Sequence, residues 1–420
     1  MTETFPDKLT IELGDALLVY AKTLFKLPSE QGGQIESGLR YGENPDQPAA
    51  VYRLVNGHLA VSGAQYVGPE SALVSGLGLS GSQIYGSRKH PSKTNLTDVD
   101  SALGILRYLS IKPAAVIIKH NNPSGAAWGE SLEKAFSDAF EADRVAAFGG
   151  AVAVNRPVTA QCAQLMGQRY LEVVAAPDFE PGALDILLKK PDLRIFKIPR
   201  LDKLSDYQAL RYLDFKSLID GGLVIQRSAC SRVLSPSDFV TARAEKDGQV
   251  IESLRQPTEE EAWDLLFGWA VEQGVISNSV IFVKNGVTAG IGCGQQDRVG
   301  VVEIAAFKAR RNLAESIAQR LFGESFSELQ AQAASGAKPQ RALASVMEEV
   351  EANQGGLAGS RLVSDAFFPF RDAVDKAIAQ KVTAIAHPGG SLRDYESLLA
   401  ANQADPPVAM VFTGQRAFKH

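Results

Sequence analysis

The 420-residue sequence predicts an α/β fold, in which short buried strands alternate with helices. Three observations predict it: alternating apolar runs and amphipathic helical patterns, an Asn-Gly hairpin signal, and a weak internal sequence similarity, called the echo below. In the echo, apolar runs ending in His120 and His387 each precede a Pro/Gly turn and a helical pattern. A true duplication would give two similar α/β units. The strand candidates of the first half are residues 114–118, 151–154, 171–176 and 222–225, and its clearest helical pattern is residues 132–142.

Changes in composition divide the chain into four parts. An N-terminal extension at 1–39 contains one amphipathic stretch, residues 13–27. A first α/β unit at 40–226 is followed by a polar, irregular connector at 227–257. We expect a second α/β unit at 258–420.

The second unit has clear local signals. A helix is predicted at 258–273, because three glutamates in its first turn suit the positive end of the helix dipole. Asn285 and Gly286 between two apolar runs predict a hairpin. Helical patterns at 299–322 and 329–353 predict an insert at about 300–355, and the last strand candidates are residues 382–386 and 408–412.

Composition excludes several classes of protein. The chain is 45% hydrophobic and 22% charged with a net charge of -5, which is typical of globular proteins and gives no basic surface for nucleic acid or anionic membranes. Cys162, Cys230 and Cys293 form no C-x-x-C pair, so we expect no disulfide framework. Because no signal peptide or apolar run of ~20 residues is visible, we expect a cytoplasmic protein.

Lys119 and His120 lie where an α/β protein concentrates its chemistry, at the carboxyl end of a strand. The run 114–118 predicts a buried parallel strand, and Gly125 is expected to open a helix at 126–136 whose first amides could hold an anion. Successive strand residues point to opposite faces, so the two side chains can cooperate only if the chain turns at His120. A solvated strand end beside a structural loop histidine explains the pair equally well from these residues alone.

Two other enzyme classes fit the sequence poorly. Gly290, Gly292 and Gly294 follow a hairpin with G-x-G-x-G spacing, whereas a dinucleotide site needs G-x-G-x-x-G opening a helix. A zinc deaminase needs H-x-E followed by P-C-x-x-C, which the three distant cysteines cannot provide.

Six motifs, in order along the chain, carry a resemblance to one enzyme family. They are RYGENP at 40–45, K-H-x-N-P-x-G at 119–125, AFGG at 147–150, G-I-G-x-G-Q-Q-x-R at 290–298, SDAFFPF at 364–370 and R-x-F-x-H at 416–420. The chain resembles the AICAR transformylase part of the bifunctional purine-biosynthesis enzyme that also carries IMP cyclohydrolase. The resemblance implies two cytidine-deaminase-like three-layer α/β/α units with a helical insert, and a homodimer with active sites at its interface.

The resemblance also implies a reaction. A formyl group passes from 10-formyltetrahydrofolate to the 5-amino group of AICAR ribonucleotide, giving formyl-AICAR in IMP biosynthesis. Formate activated by ATP is the alternative donor, but the absence of a P-loop motif favours the folate. Since only residues 1–39 precede the first motif, we expect a stand-alone transformylase without cyclohydrolase activity, with a structural monovalent cation as a further candidate. The alternative function is a non-catalytic nucleotide- or folate-binding regulator on the same scaffold.

The resemblance assigns the catalytic base to His120. The acceptor amine is a weak nucleophile because its lone pair is delocalised, so a base must take its proton as the new bond forms. A histidine, with an ordinary pKa of about 6.5, suits this role and typically contributes ~10²- to 10⁴-fold. Lys119 could stabilise the negative charge on the formyl oxygen or protonate the leaving nitrogen of the folate.

Further site residues follow from the matched motifs. Asn278 could orient the carboxamide of AICAR, although a strand-entry cap is an equal alternative. Arg40 and Arg416 are the candidates for binding the phosphate. The other substrate-binding candidates are Tyr41, Gly149, Glu172, Arg298 and Phe367. The folate-binding candidates are Val299, Pro369, Phe370, Asp372, Gly389 and Gly390, where a flat pterin can pack on aromatic and proline surfaces.

Three positions differ from the family pattern. Glu172 stands where the family carries Asp, which would displace the contact by one methylene. Asp46 replaces a histidine and is assigned no chemistry. Ser124 stands where Cys or Ala also occurs, so its hydroxyl is expected to be dispensable.

Overall fold

The structure is a computed structural model that describes residues 5–28, 34–40, 49–56, 83–85, 91–209, 213–220 and 223–420. It divides into two compact units. The first consists of Met1–Asn121, Glu130–Phe136 and Phe148–Ser231, and the second of Asn122–Gly129, Ser137–Ala147 and Arg232–His420.

The fold is α/β, as the sequence predicts. The described strands are β1 Lys8–Leu13, β2 Ala16–Thr23, β3 Phe25–Pro28, β4 Gln34–Ser37, β5 Val51–Asn56, β6 Gln83–Tyr85, β7 Ala114–Lys119, β8 Asn122–Trp128, β9 Gly150–Val154, β10 Leu171–Ala176, β11 Arg194–Lys197, β12 Leu213–Ser217, β13 Leu223–Arg227, β14 Val240–Thr241, β15 Arg243–Lys246, β16 Gln249–Glu252, β17 Val280–Lys284, β18 Val287–Gly292, β19 Arg361–Ser364, β20 Ala384–His387 and β21 Ala409–Phe412. The described α-helices are α1 Lys93–Leu106, α2 Leu132–Ala142, α3 Ala160–Gly167, α4 Ala183–Leu187, α5 Glu259–Glu272, α6 Arg298–Phe322, α7 Phe326–Ser335, α8 Gln340–Ala352, α9 Asp372–Ala379 and α10 Asp394–Gln403.

The main sheet of the first unit has the strand order β7-β9-β10-β11-β6. β10 is parallel to β9 and β11, whereas β7 is antiparallel to β9 and β6 is antiparallel to β11. Residues 114–118 of β7 are fully buried. The prediction of a buried strand is therefore confirmed, but the prediction of a parallel one is wrong, since an apolar run reports burial on both faces and not strand direction.

The described N-terminal residues of the first unit form mainly strands. β2 lies between β1 and β5 in an antiparallel sheet, and β3 pairs with β4. The amphipathic stretch predicted at 13–27 therefore forms mainly β2 and β3. β12 and β13 form a separate hairpin, and residue 222 of the predicted run at 222–225 lies outside the described residues.

The segment after Gly125 is a strand, so the prediction of a helix at 126–136 is wrong. β8 continues to Trp128, and α2 begins only at Leu132. Ala126 and Ala127 are fully buried, and a Cβ at Gly125 would overlap the carbonyl oxygen of Ala139 in α2. Glycine therefore allows strand and helix backbones to approach closely.

The main sheet of the second unit has the order β14-β21-β20-β19-β17-β18-β8. β20 is parallel to β19 and β21, and the neighbouring pairs β17–β18, β17–β19 and β14–β21 are antiparallel. The predicted Asn-Gly hairpin is confirmed as β17 and β18. The segment 227–257, predicted to be irregular, contains β14 and the β15–β16 hairpin, whose largely exposed residues give no apolar pattern.

The helical predictions of the second unit are confirmed. α5 begins after Thr258, which forms a capping box with Glu261. α6 spans the first predicted helical pattern, and the second is divided into α7 and α8. The break follows from Gly336, which ends α7 with φ 76°, and from Pro339, which precedes α8.

Within the described ranges, no helix is both long enough and apolar enough to cross a bilayer.

Candidate active site

The chain turns at His120. Lys119 ends β7, and His120 and Asn121 follow with φ values of 55° and 61°. Both residues are therefore in the left-handed region, as in a two-residue hairpin turn. This turn meets the condition under which two neighbouring side chains can act on one ligand. The His120 side chain is exposed, and Lys119 is half-buried.

A buried carboxylate on α1 holds this turn. Asp98 is 5% exposed, and its Oδ1 accepts a hydrogen bond from the Asn121 backbone N–H at 2.8 Å. Burial raises the pKa of the Asp98 carboxyl, while the Asn121 hydrogen bond and the charges of His120 and Lys119 act in the opposite direction. Sequence reasoning missed Asp98. The available signal was an aspartate on the apolar face of α1, one turn before Ala102.

Lys119 and Gly149 lie together. The Lys119 Nζ donates to the Gly149 carbonyl oxygen at 2.8 Å, and the Gly149 N–H donates to the carbonyl of Tyr170 at 2.8 Å. Gly149 has φ 68°, and a Cβ here would lie 3.0 Å from the Lys119 Nζ. Glycine therefore allows the ammonium group to approach the backbone. The rings of Phe148 and Tyr170, 63% and 52% exposed, contact each other with centroids 4.7 Å apart, and a Cβ at Gly149 would lie 3.4 Å from the Tyr170 ring.

Glu172 lies on β10 and is held by two partners. Its Oε2 accepts from the Asn95 Nδ2 at 3.1 Å and lies 3.9 Å from the Arg194 Nη1. Arg40 is exposed, and its backbone N–H donates to the Pro91 carbonyl at 3.2 Å. Tyr41, with residues 42–48 of the first motif, lies outside the described residues.

In the second unit, the structure brings Asn278 and Arg298 together. Arg298 is the first residue of α6, and its side chain is 9% exposed. Its Nη2 donates to the Asn278 Oδ1 at 2.6 Å, and its Nη1 pairs with the fully buried Asp365. Val299 follows as the second residue of the same helix.

Asp365 is the centre of this network and was not selected from the sequence, although it lies in a matched motif. The Ser277 hydroxyl donates to its carboxylate, and its backbone carbonyl accepts from the Ala417 N–H at 2.9 Å. Through Ala417, the C-terminal segment is tied to the same cluster. A motif position between Ser364 and Ala366 was the only sequence signal for it.

Arg416 stacks on aromatic rings. Its Cζ lies 5.0 Å from the ring centroid of Phe367 and 5.7 Å from that of Phe418. Both distances are within the range of cation–π contacts. Two predicted substrate-binding residues, Phe367 and Arg416, therefore lie together.

A buried histidine holds the Gly389–Gly390 segment. The His387 Nδ1 accepts from the Gly389 N–H at 3.1 Å, and the two glycines have φ values of 69° and 89°. A Cβ at Gly389 would lie 2.7 Å from the Phe412 ring. Burial, with a smaller effect from the charge of Arg298, lowers the pKa of His387 to about 3, so the imidazole is neutral at physiological pH.

The residues of the aromatic run in the fifth motif, 367–370, differ in how far they are exposed. Phe368 is fully buried core, whereas Pro369 is half-buried and Phe370 is exposed, with the Arg393 guanidinium 4.9 Å from its ring centroid. Asp372 begins α9, and its Oδ1 accepts from the Ala373 N–H at 2.8 Å. Pro369 and Phe370 thus offer a partly exposed apolar surface.

No group of three or more His, Cys, Asp and Glu residues that could hold a metal ion occurs in the part of the chain that the structure describes.

The fold and these clusters define a class of protein. Cations, an imidazole, an amide and exposed aromatic rings lie around strand ends of α/β units, which is typical of proteins that bind small polar ligands. The chain belongs to the AICARFT/IMPCHase bienzyme family, whose model matches residues 17–308.

Curated relatives agree with this membership. The bifunctional purine biosynthesis protein PurH of Caldicellulosiruptor saccharolyticus is 34% identical over 418 residues, which are 100% of this chain and 62% of that protein. PurH of Persephonella marina is 37% identical over 388 residues, 91% of this chain and 59% of the relative. PurH of Sorangium cellulosum is 38% identical over 382 residues, 91% and 58% respectively. The chain thus spans about three fifths of the length of these relatives.

Proposed function

We propose that the chain is an AICAR transformylase in IMP biosynthesis. It transfers the formyl group of 10-formyltetrahydrofolate to the 5-amino group of AICAR ribonucleotide, giving formyl-AICAR and tetrahydrofolate. Family membership supports this class of reaction. The observation that carries the proposal is the turn after β7, where an exposed imidazole directly follows a half-buried ammonium group.

In this proposal His120 is the general base. The amine of AICAR becomes a competent nucleophile only as its proton is removed, and the exposed imidazole can reach a bound ligand. The left-handed backbone at His120 supports the role, because a continued strand would send the two side chains to opposite faces.

Lys119 stabilises the charge that develops on the formyl oxygen, or protonates the leaving nitrogen of the folate. An ammonium group has three N–H donors, so the bond to the Gly149 carbonyl still leaves donors for a ligand. The same bond fixes the direction of the flexible lysine side chain.

Asn278 orients the carboxamide of AICAR. Because Arg298 donates to the Asn278 Oδ1, the amide nitrogen remains to donate to the carboxamide oxygen. Arg40 and Arg416 bind the phosphate, and Tyr41, Gly149, Glu172 and Phe367 contact the nucleotide. The folate packs against Val299, Pro369, Phe370, Asp372, Gly389 and Gly390.

The test is a product assay. Purified protein is mixed with AICAR ribonucleotide and 10-formyltetrahydrofolate, and the products are separated. Formation of formyl-AICAR, with one tetrahydrofolate per product, is the expected result. If neither substrate is consumed by folded protein, the proposal is rejected, and tight binding of AICAR without turnover would favour the regulator.

The same mixture measures IMP. The expectation that this chain does not itself close the ring stays a prediction, and appearance of IMP would contradict it. We also propose a homodimer with sites at its interface and a cytoplasmic location. The structural monovalent cation is retained as a candidate without an assigned site.

We propose, finally, that the two units arose by internal duplication of a cytidine-deaminase-like α/β/α unit. The strand series β7-β9-β10-β11-β6 and β17-β19-β20-β21-β14 support this, since each has the same sequence of antiparallel, parallel, parallel and antiparallel pairs. This correspondence matches β7 with β17. In this proposed correspondence the echo between His120 and His387 joins strands at different positions, because His387 ends β20, the counterpart of β10.

A further inference from the structure

The Arg393 guanidinium is a cation to which the proposed function assigns no role. It lies on the ring of Phe370, with its central carbon 4.9 Å from the ring centroid. Phe370 is 49% exposed and is one of the proposed folate-binding residues, and Arg393 follows Gly389 and Gly390 in the same loop. A cation therefore lies directly beside the surface proposed for the folate.

The loop that carries Arg393 is held by hydrogen bonds. Asp394 is 4% exposed, and its Oδ2 accepts from the backbone N–H groups of Gly390 and Ser391 at 2.7 and 3.0 Å. The Ser391 hydroxyl accepts from the Arg393 N–H at 3.1 Å. Because these bonds fix the backbone before a ligand arrives, less entropy is lost when a ligand binds there.

The Arg393 guanidinium still has donors to offer. Its Nε donates to the Glu396 Oε1 at 2.8 Å, and its Nη2 lies 2.6 Å from the same oxygen. A guanidinium has five N–H groups, so these contacts leave the edge formed by Nη1 and Nη2. The two parallel N–H groups of such an edge match the two oxygens of a carboxylate.

Arg371, which follows Phe370 directly, has its donors engaged. Its Nε and Nη2 donate to the two carboxylate oxygens of Asp375 at 2.9 and 3.0 Å, and its Nη1 donates to the Gln403 Oε1 at 3.3 Å. The side chains of Arg371 and Arg393 are similarly exposed, at 41% and 49%. Arg393 is therefore the better candidate for binding an anion, and Arg371 is a matched control.

The proposed folate substrate carries a group that fits this edge. Its pterin is joined through a p-aminobenzoyl ring to a glutamate, whose two carboxylates are ionised at neutral pH. Phe370 offers an aromatic surface, and Leu392, which precedes Arg393, is 98% exposed. Both side chains can contact the benzoyl ring, while the guanidinium pairs with the charged end.

We propose that Arg393 binds a carboxylate of the folate glutamate and makes the site specific for a donor with a charged tail. The inference rests on the proposed function, because it requires folate to lie against Phe370. The tail is remote from the transferred formyl group, so its contact is equally strong before and during the reaction. Arg393 therefore affects the KM for the folate and leaves kcat unchanged.

The test compares two formyl donors. One is 10-formyltetrahydrofolate, and the other is its bisamide, in which both glutamate carboxylates are replaced by neutral amides of the same shape. In wild type the KM for the bisamide should be about tenfold higher than that for the natural donor. In Arg393→Gln the KM for the natural donor should rise to the bisamide value, while the KM for the bisamide stays within about twofold of wild type.

Two further variants separate charge from structure. Arg371→Gln should keep the wild-type preference for the charged donor, because the donors of Arg371 are already engaged. Arg393→Lys retains the charge without the two-pronged edge and should show an intermediate preference. Equal KM values for the two donors in wild type would overturn the proposal. So would an equal rise for both donors in Arg393→Gln, since loss of structure does not depend on the charge of the tail.

Calorimetric titration with tetrahydrofolate and its bisamide separates this inference from the proposed function. If folded wild type binds tetrahydrofolate but transfers no formyl group, the transformylase proposal fails, while the two affinities of Arg393→Gln still decide the role of Arg393. If formyl-AICAR forms with equal KM values for both donors, the proposed function stands and the role of Arg393 is rejected. Absence of binding to either compound would overturn both.

Discussion

His120 depends on residues that hold its backbone in an uncommon conformation. Non-glycine residues with positive φ are rare and persist where surrounding contacts fix them. At this turn the contact is the Asp98 carboxylate. The corresponding turn at Asn285 and Gly286 is held in the same way, since both backbone N–H groups donate to Asp264 of α5.

Substitutions of Asp98 should distinguish its effect on the position of His120 from its effect on the stability of the fold. Asp98→Ala removes the acceptor for the turn and should lower kcat at least tenfold, with a loss of ~1–3 kcal/mol in unfolding free energy. Asp98→Asn retains an acceptor oxygen and should keep most of the activity. Initial rates and urea denaturation measure both effects.

Asp264→Ala is the matched control for Asp98→Ala. It should destabilise the fold by removing the bonds to Asn285 and Gly286, yet leave the kcat of the folded protein near wild type. Equal losses of kcat in the two variants would show that Asp98 has no special relation to His120.

Sequence analysis selected Lys119 and His120, the proposed catalytic pair, but not all the residues that hold them in place. Lys119 and His120 could be selected from the sequence because their residue types, a cation next to an imidazole at the end of an apolar run, already indicate possible chemistry. Asp98 and Asp365 could not, because their importance comes from burial and from backbone partners distant in the chain.

At the level of elements, the sequence predicted best the helices and strands whose ends are marked by a local motif, such as a helix cap or a turn dipeptide. α5 begins at a capping box, and β17 and β18 are joined by Asn-Gly, so both could be predicted from local residues. β8 could not, because a segment that begins Asn-Pro-Ser-Gly is typical of a loop. Its strand conformation depends on pairing and on close packing against α2.

Gly286 provides a test at this level. Its φ is 71°, and an added Cβ would overlap the indole of Trp128, which packs against Phe267 with ring centroids 5.1 Å apart. Gly286→Ala should therefore lower the unfolding free energy by ~2–4 kcal/mol, measured by urea denaturation.

Gly248→Ala separates the cost of the positive φ from the cost of the steric overlap with a neighbouring side chain. Gly248 has a similar φ of 77° in the β15–β16 turn, but no atom lies within 4 Å of an added Cβ. Gly248→Ala should therefore lower the unfolding free energy by about 1 kcal/mol, the cost of the backbone conformation alone. Equal losses at the two glycines would contradict the role of the Trp128 contact.

At the level of the whole molecule, the two units share a strand topology that the sequence only suggested. The local sequence patterns align His120 with His387, whereas the order of paired strands aligns β7 with β17 and the turn after Lys119 with the turn after Lys284. Pairing partners are set by distant parts of the chain, so a resemblance of seven or eight residues cannot establish register.

The proposed homodimer can be tested by mixing inactive variants. If the active sites use residues of both protomers, His120→Ala and Asn278→Ala homodimers should regain part of the activity after subunit exchange. Sedimentation and mass spectrometry would establish the exchange. Absence of recovered activity in proven mixed dimers would contradict shared sites.

The most direct measurement is the single-turnover rate of formyl transfer in His120→Asn. Asparagine tolerates positive φ, so the turn and the melting temperature should be retained while the base is removed. The rate should fall by ~10²- to 10⁴-fold. A rate within a few-fold of wild type in folded protein would contradict the role of His120.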